Sequence, residues 1–194
     1  MSRTKTFDRQ AVLQAAMRVF WQKGYDTTSM QDLLDATGLS RSSLYEEFED
    51  KAHLFEAATH CYFDMHGQLR VRALREATSV RGGLQAFFAL QIAACLHPED
   101  PPGCLLTNTA TTLASHDGRI ADLVRASTEG LRQEILALLR RGQAEGQLPA
   151  QANVEAMSHL VMSVSLGINV WARMHADRVA LEAMAQGAVN AVCG

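Results

Sequence analysis

The sequence predicts an all-α protein of about nine helices: a small three-helix head at the N-terminus and a larger helical body. Three observations predict it. Apolar residues recur at i, i+3, i+4 and i+7 along successive segments; Ala, Leu, Gln, Glu and Arg are plentiful while only four prolines interrupt 194 residues; and no segment carries a strand signal.

Helix 1 opens at Asp8, an N-cap, and follows Val12, Ala15, Ala16, Val19 and Phe20, with Phe7 and Val12 at the positions of a hydrophobic staple. Gly24 supplies its stop after Lys23. Thr28 and Gln31 have capping-box spacing, with Ser29 as a competing cap, and open a short helix that buries Met30, Leu33 and Leu34. Gly38 can take the positive φ of a tight turn, and Ser40 then caps a third helix, RSSLYEEF, too short to stand without tertiary support. A longer amphipathic helix is expected over 51–76, with Leu54, Phe55, Ala58, Tyr62, Met65 and Leu69 on one face. Ser79 starts the next, to about 96. HPEDPPG is the clearest loop of the chain, and a shorter helix is expected over 104–115. A long helix over 119–145, the break GQLPAQAN, and two helices over 154–175 and 178–192 complete the chain. The domain boundary is expected at residue 50, giving a small N-terminal unit over 1–50 and a larger helical unit over 51–194.

Composition excludes several classes. Hydrophobic residues at 47% and charged residues at 20% suit a globular protein rather than a disordered or membrane one. The start MSRTKTFDRQ has no signal-peptide stretch. The most apolar run, 160–171, is broken by Ser163, Ser165, Gly167 and Asn169 and falls short of the roughly 20 residues of a membrane span, so no membrane partner and a cytoplasmic location are expected. Cys61, Cys95, Cys104 and Cys193 form no C-x-x-C pair, and no phosphate-binding glycine loop occurs, so neither a disulfide framework nor a cofactor is expected. His60, Cys61 and His66 share a helix, but i and i+6 point apart, so no metal site is expected. Net charge is −3, yet residues 1–23 carry Arg3, Lys5, Arg9, Arg18 and Lys23 against Asp8 alone, a modest basic footprint.

The third helix has the make-up of a DNA-reading element. Arg41, Ser42 and Ser43 are small or donor-bearing groups for base edges, whereas Leu39 and Leu44 face inward. Tyr45 can give a hydroxyl, and Lys51 a charge, to phosphate, and the N-termini of helices 2 and 3 add partial positive charge. Gly24-Tyr25, Thr28-Ser29, Leu33, Gly38-Leu39-Ser40, Leu44-Tyr45, Phe48, Lys51 and Leu54-Phe55 together resemble the N-terminal signature of TetR-type (tetracycline-repressor-like) transcriptional regulators. The resemblance covers about the first 55 residues. It implies a homodimeric repressor on a palindromic operator in double-stranded DNA, with a DNA-binding unit over 1–50 and an effector-binding and dimerisation unit over 51–194. Arg41, Ser42 and Ser43 would face bases, Ser29, Tyr45 and Lys51 would hold phosphates, and Ser40, the cap of the reading helix, joins them as a DNA-binding residue. Glu46, Glu47, Glu49 and Asp50 depart from the family pattern and place four acids near the DNA backbone.

In the body, PPGCLLTNTATTL puts Cys104 at the first turn of a helix, where a thiolate is favoured. It resembles a segment in a family subgroup that includes electrophile and oxidant sensors. A small apolar or electrophilic effector is therefore expected, with Tyr62, Phe63, Met65, Phe87, Phe88, Leu106, Asn108, Met162, Trp171 and Met174 as candidate lining. Small residues in the last two helices (Ser163, Ser165, Gly167, Ala180, Ala183, Gly187, Ala188, Ala191) suit a two-fold four-helix interface. Two alternatives stand beside this reading. One is a small thiol-dependent enzyme using Cys104, with His97 and His116 bracketing its helix; the other is an architectural DNA binder without an effector.

Overall fold

The computed structural model describes residues 7–111 and 118–194. Arg3, Lys5, His116 and residues 112–115 of the expected sixth helix lie outside the described residues. Among those described, every regular element is helical: α1 (Arg9–Lys23), α2 (Met30–Thr37), α3 (Arg41–Phe48), α4 (Lys51–Tyr62), a π-helical turn (Phe63–Gly67), α5 (Gln68–Glu76), α6 (Val80–Cys95), α7 (Leu105–Ala110), α8 (Gly118–Ala144), α9 (Val154–Met174) and α10 (Arg178–Cys193). Counting α4, the π turn and α5 as the single long helix expected from sequence gives nine.

The local signals act as read, with two corrections. Asp8 caps α1 through the amides of Gln10 and Ala11, Ser40 caps α3, and Ser79 caps α6. At α2, however, the capping box belongs to Ser29 and Asp32, not to Thr28 and Gln31. Thr28 is buried and spends its hydroxyl on the Gly24 carbonyl at 2.6 Å, which leaves exposed Ser29 to accept from the Asp32 amide at 3.1 Å. Asp32 answers through the Ser29 amide at 2.9 Å and also pairs with Lys23 at 2.6 Å, and these donors hold its carboxyl down at about 2.

The second correction matters more. The π turn inserts one extra residue into the 51–76 helix, and an extra residue rotates everything after it by about 100°. Met65 and Leu69, expected on the buried face, are therefore 39% and 58% exposed, while Arg70 and Leu74 turn inward at 8% and 1%. Gly67 lets the Phe63 ring lie against the backbone of the turn: a Cβ there would lie 2.4 Å from that ring and push it aside.

Two apolar clusters hold the molecule together. One fills the body, from Leu74 on α5 through Phe87, Phe88, Leu138 and Val161 to Val192 on α10. The other starts in the head, where Phe20 meets Phe55 edge-on at 5.0 Å and Trp21 meets Tyr62 likewise, and it continues past residue 50 into Cys104, Leu105 and Ile120. Each such fully buried aromatic contributes about 2–3 kcal/mol of burial. α1 packs on α4 and α7, so the head is seated on the body by its own core.

Candidate nucleic-acid interface and effector cavity

α2 and α3 are joined by Gly38, Leu39 and Ser40, with Gly38 in the left-handed conformation at φ 67°. Ser40 Oγ accepts from the Ser43 amide at 3.1 Å and lies 3.0 and 2.9 Å from the hydroxyls of Ser42 and Ser43. Three hydroxyls thus cluster at the positive end of α3. Arg41 beside them is exposed and makes no ion pair with any described residue. Tyr45, one turn on, is exposed, while Leu44 and Phe48 are buried beneath. Lys51 stands at the first turn of α4 with its Nζ 4.4 Å from the Tyr25 ring centre; half-burial there pulls its pKa below the usual lysine value. Ser29 is exposed but is also the α2 cap.

The four acids near this face divide into two kinds. Glu47 is bound by Arg9 at 3.0 Å, whose guanidinium also lies over the Phe48 ring, and Asp50 caps α4 through the His53 amide at 2.8 Å. Glu46 and Glu49 remain exposed.

In the body a cavity of about 290 Å³ lies between α4, the π turn, α5, α7 and α8. Tyr62, Phe63, Val71, Leu106, Leu123 and Leu131 give it apolar walls, and Thr59, His60, Arg70, Ser127 and an Arg75–Glu134 pair give it polar ones. Of the residues proposed from sequence, Tyr62, Phe63 and Leu106 are brought to this cavity. Phe87, Phe88 and Met162 sit in the body core, and Trp171 and Met174 face outward on α9. Cys104 is buried as the N-cap of α7; its thiol meets the Tyr62 hydroxyl, and burial pushes Tyr62 well above the usual phenol range and Cys95, nearby, up to about 12. His60, Cys61 and His66 point apart: His60 to the cavity, Cys61 toward Gln10 of α1, and His66 toward Trp21.

Sequence reasoning missed most of the lining, including the polar Thr59, Arg70, Arg75, Ser127 and Glu134 and the apolar Val71, Leu123 and Leu131. Arg70 could not be seen, because the period read from the sequence faces it to solvent until the π turn shifts the register.

Asn108, expected as lining, instead joins body to head. Its Nδ2 donates to the carbonyl of Trp21 in the last turn of α1 at 3.1 Å and to that of Pro102 at 3.3 Å. Arg173 on α9 donates to the Gln22 carbonyl, and Arg18 of α1 pairs with Asp100 at 3.0 Å. Behind Asn108 runs a buried polar chain: Gln91 to Asn169 at 2.7 Å, Asn169 to Thr107 at 2.9 Å, and the Cys95 thiol to Asn169 at 3.3 Å. α7 therefore touches the cavity through Leu106 and α1 through Asn108.

No helix of the described residues is long and apolar enough to cross a membrane. Comparison with known proteins gives the same picture throughout. Residues 12–58 match the profile of bacterial regulatory proteins of the tetR family, and residues 81–188 that of the tetracyclin repressor-like C-terminal domain. The HTH-type transcriptional repressor ComR of Escherichia coli K12 is 35% identical over 88% of this chain and 82% of its own length. The regulator YezE of Bacillus subtilis is 29% identical over 91% and 92%. Among solved structures, a cysteine-substituted CifR bound to 26-bp double-strand operator DNA superposes with a TM-score of 0.91 at 30% identity, over 97% of this chain and 99% of that one.

Proposed function

The chain belongs to the TetR family of bacterial regulatory proteins and is a DNA-binding transcriptional regulator, a premise from which we propose a cytoplasmic homodimeric repressor released from a palindromic operator by a small molecule. The family is one of regulators rather than enzymes, which removes the thiol-enzyme alternative. In this reading α3 of each subunit enters a major groove. Arg41, Ser42 and Ser43 read base edges, and Ser29, Tyr45 and Lys51 hold phosphate, with Ser40 ordering the hydroxyl cluster. The outward faces of α9 and α10 pair with a second copy: Leu160, Val170 and Val179 are exposed there, and Ser163, Ala183 and Gly187 leave room for close helix approach.

The observation that carries the reading is the double contact of α7. A molecule that moves Leu106 at the cavity wall also moves Asn108, and Asn108 holds the last turn of α1. Shifting α1 re-aims both reading helices away from the roughly 34 Å spacing of one DNA turn. A covalent variant of the same signal has support in the Tyr62–Cys104 contact, since a modified Cys104 would push on the cavity wall directly.

Fluorescence anisotropy with the DNA upstream of the protein's own gene, against random duplex, tests the proposal. Saturation at two chains per palindromic site, with random duplex bound far more weakly, is the expected result; equal binding of both duplexes would overturn it. Loss of binding with diamide that persists in Cys104→Ser would end the covalent variant.

A further inference from the structure

We propose that the α4–α8 cavity takes a small carboxylic acid, with an aliphatic or aromatic tail against its apolar walls and the carboxylate on the Arg70 guanidinium and Thr59 hydroxyl; this rests on the reading of that cavity as the effector site. Arg70 is buried, and its Nε donates one hydrogen bond to the His66 carbonyl at 3.1 Å. By contrast Arg132 has Glu129 and Glu155, at 3.1 Å to the latter, and half-buried Arg141 is met by two carbonyls, those of Leu74 and Ala77. Arg70 has no carboxylate partner among the described residues, although burying a charge without one is expensive.

The groups around Arg70 do not supply the missing anion. Tyr62 and Cys95, both within its electrostatic reach, are kept protonated by burial. Asp100 is taken by Arg18 at 3.0 Å, and Glu134 by Arg75, whose Nε lies 2.8 Å from it. The cavity wall thus holds two arginines and one glutamate, one positive charge in excess.

Thr59 is the second, independent observation. Its hydroxyl is buried at the cavity wall without a hydrogen-bond partner. Thr28, Thr37 and Thr109 each give theirs to the carbonyl four residues back, at 2.6, 2.7 and 2.8 Å. A buried hydroxyl left out of that bond is costly unless something else meets it. A ligand carboxylate accepts from both Arg70 and Thr59, and charge-assisted bonds of this kind are the strong ones. At protein packing density 290 Å³ holds roughly ten non-hydrogen atoms, the size of an eight-carbon acid.

Isothermal calorimetry on the purified full-length chain with octanoate, and with octanamide as the neutral match, reads this directly. Octanoate should bind at least about tenfold more tightly than octanamide. Arg70→Met, which keeps an apolar stem, should weaken octanoate about 10- to 100-fold and leave octanamide unchanged, and Thr59→Val should weaken octanoate a few-fold. Equal affinity for the two probes, binding of neither, or unchanged octanoate binding in Arg70→Met would each overturn the proposal. Should Arg70→Met not fold, the octanoate-to-octanamide ratio in the native chain and in Thr59→Val decides the matter alone. Operator anisotropy on the same preparation separates this from the regulatory reading. Specific DNA binding released by a neutral molecule but not by octanoate keeps the regulator and sinks the carboxylate, whereas octanoate binding without specific DNA binding does the reverse.

Discussion

The head and the body use polar groups in opposite ways. In the head they work at short range and near the surface: Ser29 with Asp32, Ser40 with Ser42 and Ser43, Asp50 with the His53 amide, all within three residues of one another. In the body they are buried and join residues far apart in the chain, as Gln91 to Asn169 and Asn108 to Trp21. A surface set of local caps can present free donors to a partner without disturbing the core. A buried long-range set cannot change at one end without being felt at the other, which suits transmission.

Breaking the body's chain should therefore be the most damaging single change. Asn169→Ala would take the donor from the Thr107 hydroxyl and the shared acceptor from the Cys95 thiol and the Gln91 amide, leaving Gln91 with Ser165 alone, at a cost of about 2–4 kcal/mol in urea unfolding. A loss below about 1 kcal/mol would show that the chain is not a shared network. Arg41→Ala is the contrast in the head. It should leave unfolding unchanged within about 0.5 kcal/mol, yet reduce discrimination at one operator base pair by about 1–3 kcal/mol. Equal weakening on every point-mutated operator would remove Arg41 from base reading. Lys51→Ala should instead weaken all sequences alike and lower the salt dependence by about one phosphate contact.

Ser40→Ala sits between these cases, because Ser40 both caps α3 and orders two neighbouring hydroxyls. About 1 kcal/mol of stability should go with the cap. If Ser40 orders the reading surface too, Ser40→Gly, which keeps most of the cap energy, should still lose operator affinity. Undiminished affinity in Ser40→Gly would confine the residue to capping.

The same contrast explains what was legible in the sequence. Caps, the turn glycine and the apolar faces of α1 to α3 are read within a few residues, and the head emerged almost as expected, with only Thr28 and Ser29 exchanging roles. Exposed Arg41 and Tyr45 followed from the same periodicity. The cavity did not. Its shape depends on five helical segments meeting, and its charged wall depends on a π turn that moves Met65 and Leu69 out and Arg70 in, a shift that helical periodicity alone cannot register. Phe87, Phe88 and Met162 were proposed as lining because aromatic and flexible residues build pockets, but the same residues build cores, and only packing tells the two apart.

Acid should separate the two regions by where each begins to fail. Burial lowers the His66 pKa from its ordinary 6.5, with Arg70, Arg18 and His97 acting in the same direction and Asp100 opposing, so the folded body takes up a proton on this ring less readily than the unfolded chain does. The unfolded chain takes up a proton near pH 6.5 that the folded chain takes up only at lower pH, so the folded state binds fewer protons and stability falls as pH drops through that value. In the head, Asp32 is held down at about 2 from an ordinary 3.8 by Lys23 and Ser29. Its contribution is complete above pH 3.8 and is lost only as pH falls toward 2. Hydrogen exchange followed from pH 7 to 4 should therefore show α5 and the π turn losing protection before α2, and His66→Gln should flatten the early loss while Asp32→Asn leaves it untouched. The reverse order, or an early loss that survives His66→Gln, would mean that the body's acid sensitivity lies elsewhere than in the ring set between Trp21 and Tyr62.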